Sequence, residues 1–167
     1  MAHELDAVIA RFDVLSDLAR ERLLPVVALE RGFGLVPLVA TVIKKLAAEL
    51  VLPDRGRAVV QIHELHPLFQ KWSGAGPIVY ASNDVHAGFG SQSAMIWQDQ
   101  RVVFSQTGYP YSGPISMALL RLGVTGGILG CDEFDILGLA RHRSTAGWLN
   151  DATPGGQRAG SHDDRAR

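Results

Sequence analysis

The chain has 167 residues, 47% apolar and 20% charged, which suits one domain with its own core and no need of disulfide staples. Its 16 basic and 17 acidic side chains leave a formal net charge of -1, without the basic excess that neutralising phosphates requires, so nucleic acid is not an expected partner. A lone cysteine, Cys131, excludes an internal disulfide; Glu4 and Asp6 stand where a secretion signal would be basic, and the longest uncharged apolar run, Gly32 to Ile43, is too short to cross a bilayer, so the expectation is a cytoplasmic protein with no membrane segment.

Leu5, Val8, Ile9, Phe12, Leu15 and Leu18 recur at spacings of three and four, which predicts an amphipathic helix from about Ala2 to Leu23, ended by Pro25. Val26 to Leu29 and Leu35 to Val39 read as two short strands, joined across the glycines of Glu30 to Gly34 in a hairpin. Helical spacing returns from Val39 to Leu50, followed by a loop at Pro53 to Gly56. Ala58 to Ile62 reads as a strand, and His63 to Trp72 as a short helix after Pro67. Ile78 to Asn83, Ala94 to Gln98 and Arg101 to Gln106 read as three further strands, the last two joined by a tight turn. Ser112-Gly113-Pro114 starts a helix that Gly123 ends; Asp132 caps a short helix closed by Gly138; Arg141 to Leu149 is a last basic element. From Asn150 to Arg167 no large apolar residue occurs, so residues 150–167 are expected to be a flexible polar tail on a single domain of residues 1–149. The irregular alternation of helices and hairpins predicts an α+β fold: a mainly antiparallel sheet of about five to six strands packed against N-terminal and middle helices.

No cofactor or metal motif is present. His63 and His66 are three apart, not the four of a zinc-protease helix, and read as surface histidines at a strand end. The polar centre of the chain is Asn83-Asp84-Val85-His86 with Gly88-Phe89-Gly90-Ser91-Gln92, read as a looped or bulged connection between two core strands. On a strand Asp84 and His86 point to one side, so the carboxylate can orient the imidazole for base catalysis, with Ser91 as a hydroxyl and Asn83 and Gln92 as binding groups. Asp132, Glu133 and Asp135 form an acidic cluster beside Cys131, which reads as a half-buried thiol at a helix cap. Arg141, His142 and Arg143 with Trp148 make a basic, aromatic end, and Trp72, Trp97, Tyr109 and Tyr111 are candidates for a groove, with Trp97 the one placed in the core.

In size and layout the chain resembles the small single-domain immunity proteins that bacteria encode beside toxins. The resemblance implies a toxin domain as partner, inhibited by occlusion, with Asp132, Glu133 and Asp135 as contacts for a basic, nuclease-type surface. The alternative is a small hydrolase or isomerase with Asp84 and His86 as its acid-base pair in a concave pocket. Homodimerisation through an exposed strand edge such as Arg101 to Gln106 is compatible with either.

Overall fold

A computed structural model describes residues 2–50, 59–87, 89–109, 113–125 and 131–154. Its strands are β1 (His3–Arg11), β2 (Pro25–Ala28), β3 (Phe33–Pro37), β4 (Ile78–His86), β5 (Phe89–Gln98), β6 (Arg101–Gly108) and the two-residue β7 (Thr153–Pro154). They form one sheet in the order β6-β5-β4-β1-β3-β2-β7, antiparallel at every pairing. The helices are α1 (Phe12–Arg20), α2 (Ala40–Ala47), α3 (His66–Trp72), α4 (Pro114–Arg121) and α5 (Glu133–Ile136). The expected α+β fold with an antiparallel sheet is present, with six strands of four residues or more.

Side chains alternate across a strand, and here both faces are covered. On one face Val8, Ala10, Val26, Val36, Ile78 and Trp97 pack under α1, α2 and α3, through Leu15, Ala19, Val42, Leu46, Phe69 and Trp72. On the other, Leu5, Ala7, Ile9, Leu35, Val79, Ala94 and Ile96 pack under α4 and the C-terminal elements, through Ile115, Leu119, Leu137, Leu139 and Trp148. We call these the α1–α3 face and the α4–α5 face.

The predicted helix from Ala2 to Leu23 is half strand. His3–Arg11 is the central strand β1, and only Phe12–Arg20 is helical. Because β1 is buried on both sides, Ala7 to Ala10 are all fully buried, and an unbroken apolar run cannot show the period of two. Next to the true helix it mimics spacings of three and four. The predicted strand from Ala58 to Ile62 is also absent over its described residues: 59–61 are irregular and Ile62 opens a 3-10 turn. Gln61 and Glu64 close that turn as a capping box, Glu64 accepting from the Gln61 backbone N–H at 2.8 Å. The hairpin β2–β3, the helix starting at Ala40, and the strands β4, β5 and β6 form where expected, β4 and β5 being longer than predicted. In the turn between β5 and β6, Asp99 and Gln100 both take positive φ, the geometry of a type I′ hairpin.

The polar segment from residue 150 starts inside the fold. Asn150 ends a 3-10 turn, and Thr153–Pro154 pairs with β2. The loop at 53–56, Tyr111, Ser112 and the glycines at 126, 127 and 130 lie outside the described residues. No helix among the described residues is long and apolar enough to cross a membrane.

Truncation at the central strand tests this arrangement. Ile9→Ala is expected to cost about 2–5 kcal/mol in denaturant unfolding, and Leu23→Ala, at a residue 75% exposed, no more than about 0.5 kcal/mol. Equal costs would contradict the placement of β1.

Candidate functional site

The helices on the α1–α3 face stop short of one end of the sheet. Beyond them β1, β4, β5 and β6 present Glu4, Asp6, Ser82, Asp84, His86, Phe89, Ser91, Ser93, Ser105 and Thr107, none of them fully covered. This surface is built by register. Glu4 lies directly opposite Asp84, and Asp6 opposite Ser82, in the β1–β4 pairing; His86 lies opposite Phe89, and Asp84 opposite Ser91, in β4–β5.

Strand pairing therefore runs straight through the segment read as a looped connection. Only Ala87 and Gly88 separate His86 from its partner Phe89. Gly90 has a positive φ, and a side chain there would collide with the Asp84 carbonyl oxygen, so the hairpin requires glycine at this position. The result is a paired ribbon carrying an aromatic ring that is 83% exposed, Phe89.

Asp84 and His86 meet, Nε2 to Oδ1 at 2.8 Å, as their spacing predicts. Both side chains are about two-thirds exposed, at 66% and 67%. Three cavities formed by described residues, of about 390, 490 and 520 Å3, are lined elsewhere, and neither residue borders them. Ser91 is on the same side as this pair, whereas Asn83 and Gln92 point through the sheet to the α4–α5 face.

There Asn83 is buried, and its Nδ2 lies 2.7 Å from Nδ1 of His3. The same amide nitrogen also reaches the His3 carbonyl, which only accepts, so Nδ2 is the donor and Nδ1 carries the lone pair. The ring of Phe134 packs edge-on against His3. Asn83 Oδ1, His3 Nε2 and Gln92 Oε1 are buried without a hydrogen-bond partner among the described residues. The five residues of the predicted polar centre thus divide between opposite sides of one sheet.

Asp6, Tyr80 and Glu4 were not identified as site residues from the sequence. Asp6 sits where the helical cover ends, and accepts a hydrogen bond from the Tyr80 hydroxyl at 2.9 Å. Burial is the main cause that raises its carboxyl above the ordinary value of 3.8; the hydrogen bonds from Ser82 and Tyr80 oppose the shift, and the negative charges of Glu4 and Asp84 add to it. Burial likewise raises the Tyr80 phenol, which stays protonated as a donor. Among the described residues no Lys or Arg pairs with Glu4, Asp6 or Asp84. The only local signal was the acidic pair Glu4 and Asp6 two apart, which acquires meaning once β1 lies beside β4.

The other expected sites are mainly structural. Both oxygens of Asp132 are engaged, accepting from the Asp135 backbone N–H and the Ser116 hydroxyl at 3.0 Å each, which ties α5 to α4. Glu133 is half-buried and Asp135 exposed. Cys131 is exposed, not half-buried, because α5 starts after it at Glu133. Arg141 and His142 converge on Asp151 at 3.1 and 2.8 Å and hold its carboxyl below the ordinary range, the His142 hydrogen bond being the largest cause. Trp148, beneath them, is fully buried, so Arg141 and His142 are tied to a buried ring and one carboxylate, while Arg143 is exposed and touches β1 through its carbonyl, which accepts from the Glu4 backbone N–H. His66 is not a surface histidine: its ring packs among Phe69, Tyr80 and Trp97, and burial lowers its pKa. Trp72 and Trp97 are core residues, while Tyr109 is 79% exposed.

No protein-family model matches the chain, and no curated protein and no solved structure matches it either.

The raised carboxyl gives a test with a definite sign. A folded-state value above the unfolded one stabilises the fold fully below the ordinary value of 3.8, and this contribution is lost as pH rises through the raised value. Asp6→Asn keeps an acceptor for Tyr80 and removes the charge. It is expected to raise the melting temperature relative to wild type at neutral pH, with the gain vanishing below pH 3.8. A lower melting temperature at neutral pH would show that the charge is compensated.

Proposed function

We propose that this chain is a protein-binding domain that engages a basic partner through the uncovered end of its sheet. The observation that carries the reading is the direct cross-strand opposition of Glu4 and Asp84, with Asp6 beside them and no ion pair from Lys or Arg to any of the three among the described residues, although exposed Arg143 adjoins Glu4, its carbonyl accepting from the Glu4 backbone N–H. Like charges directly opposite on a sheet cost stability, on the order of 0.2–1 kcal/mol. A partner's Lys or Arg placed between them converts that cost into attraction. Phe89 adds the exposed ring that interfaces use as an anchor, on a hairpin whose strands are paired to the last residue.

The finer proposal is an immunity-type inhibitor working in the cytoplasm, which covers the functional surface of a basic, toxin-like protein. Charge complementarity supports it, now through Glu4, Asp6 and Asp84, while Asp132 is tied to Ser116 and the helix cap. The hydrolase or isomerase alternative is favoured by one observation, the 2.8 Å contact of His86 with Asp84. Water reaches both side chains, which weakens a general base that needs a dry, shaped site.

Affinity capture from the native host separates the two. The wild-type bait is expected to retain one stoichiometric basic protein. Phe89→Ala, and separately Glu4→Gln with Asp84→Asn, should weaken its binding about tenfold or more with the fold intact by circular dichroism. Binding should also weaken as salt rises. A partner held equally by all three baits sinks the surface assignment. Turnover of a small substrate that His86→Gln abolishes would instead establish the enzyme.

A further inference from the structure

The two ends of the sheet are unlike. At one end β7 is two residues long and its Pro154 is paired with Pro25, so that edge is short and poor in donors. At the other end β6 runs for eight residues with an open edge. From Val102 to Gly108 it contains no charge and no proline, the residues that blunt exposed edges. Among the described residues, only β5 hydrogen-bonds to its backbone. Alternate residues of an edge strand turn both N–H and C=O outward, so this edge is a template for another strand.

We propose that β6 pairs with β6 of a second copy of this chain, antiparallel about a two-fold axis, giving one continuous sheet through a closed dimer. Three observations select a second copy as occupant. The first is charge. Arg101 is the only charged residue of β6, and antiparallel pairing sends the two Arg101 side chains to opposite ends, roughly 30 Å apart at strand rise. Parallel pairing would bring them together.

The second is register. A bulge at Val103 breaks the regular alternation before Phe104, where Trp97 pairs with Val102 and Ile96 with Phe104. The regular stretch is therefore Phe104 to Gly108, and a two-fold centred on Gln106 uses all of it. Residues directly opposite must share a face, and this centring satisfies that condition. Ser105 then faces the second copy's Thr107, extending the Ser93–Thr107 hydroxyl contact of 2.9 Å across the joint. Phe104 faces the second copy's Gly108, which carries no side chain to meet its ring.

The third is the neighbouring helix. Met117, Leu120 and Arg121 lie on one stripe of α4, and the Arg121 guanidinium lies over the ring of Phe104 on the edge strand. The stripe therefore faces the open end of the sheet. Met117 and Leu120, large apolar residues left 41% and 51% exposed, come to lie beside their counterparts in the dimer and are covered. This contact adjoins the uncovered surface through Ser105 and Thr107 but uses none of Glu4, Asp6, Asp84 and Phe89, the residues that the proposed binding rests on.

Sedimentation equilibrium of the full chain tests it. Wild type is expected at twice the 18.0 kDa chain mass. Ser105→Lys with Thr107→Lys puts like charges opposite each other and should give monomer. Ser105→Glu with Thr107→Glu should do the same. Mixing the two variants in equal amounts should restore a dimer, which a merely unfolded variant could not do. Wild type that stays monomeric up to about 1 mM, or a lysine variant that stays fully dimeric, would overturn the proposal.

Discussion

The structure depends on β1 being buried on both sides from Ala7 to Ala10 and, nearer its N-terminal end, on the α4–α5 side alone. Ala7, Val8, Ile9 and Ala10 have no exposed surface, with α1–α3 over one set of side chains and α4 with the C-terminal elements over the other. A sheet closed on both faces has no free polar face at its centre. Exposed polar side chains on the sheet's faces therefore gather where one cover stops. On the α1–α3 face it stops at Asp6, and the N-terminal end of β1 extends beyond it beside β4.

The pleat then sorts the polar residues of β4 and β5. Ser82, Asp84 and His86 of β4 point to the uncovered end of the α1–α3 face, where acids and hydroxyls meet water. Odd-numbered Asn83 points into the α4–α5 layer, where it is held by His3, whose ring packs edge-on against Phe134. The two sides serve different physical ends. The buried Asn83 amide and the His3 imidazole help fix pairing by specific hydrogen bonds, which a misregistered strand would lose. Exposed like charges on the other side work against the fold until something positive meets them. Retaining such a cost on an otherwise well-packed ribbon is what points to binding.

Much of the fold was legible in the sequence because the outer elements obey simple periods. Strands β4, β5 and β6, the turn at Asp99 and Gln100, the proline-led α4 and the Asp132 cap all form where local chemistry placed them. The central strand was hidden because double burial erases alternation: Leu5, Ala7, Val8, Ile9 and Ala10 form a dense run that merges with the helical face of Phe12, Leu15 and Ala19. The site was legible only in part. Asp84 with His86 follows from a spacing of two, but Glu4 and Asp6 lie some eighty residues away and join them only through strand pairing, which no local pattern encodes. Likewise, a basic segment with a tryptophan resembles a binding surface until Trp148 is found beneath Arg141 and His142, with Asp151 neutralising them.

The acidic surface exists only if β1 lies in register against β4, and backbone NMR tests this directly. The account predicts cross-strand nuclear Overhauser contacts between Glu4 and Asp84 and between Asp6 and Ser82, with strand-type chemical shifts from His3 to Arg11. A run of helical contacts between residues three apart over His3 to Arg11, with no contact to β4, would contradict it.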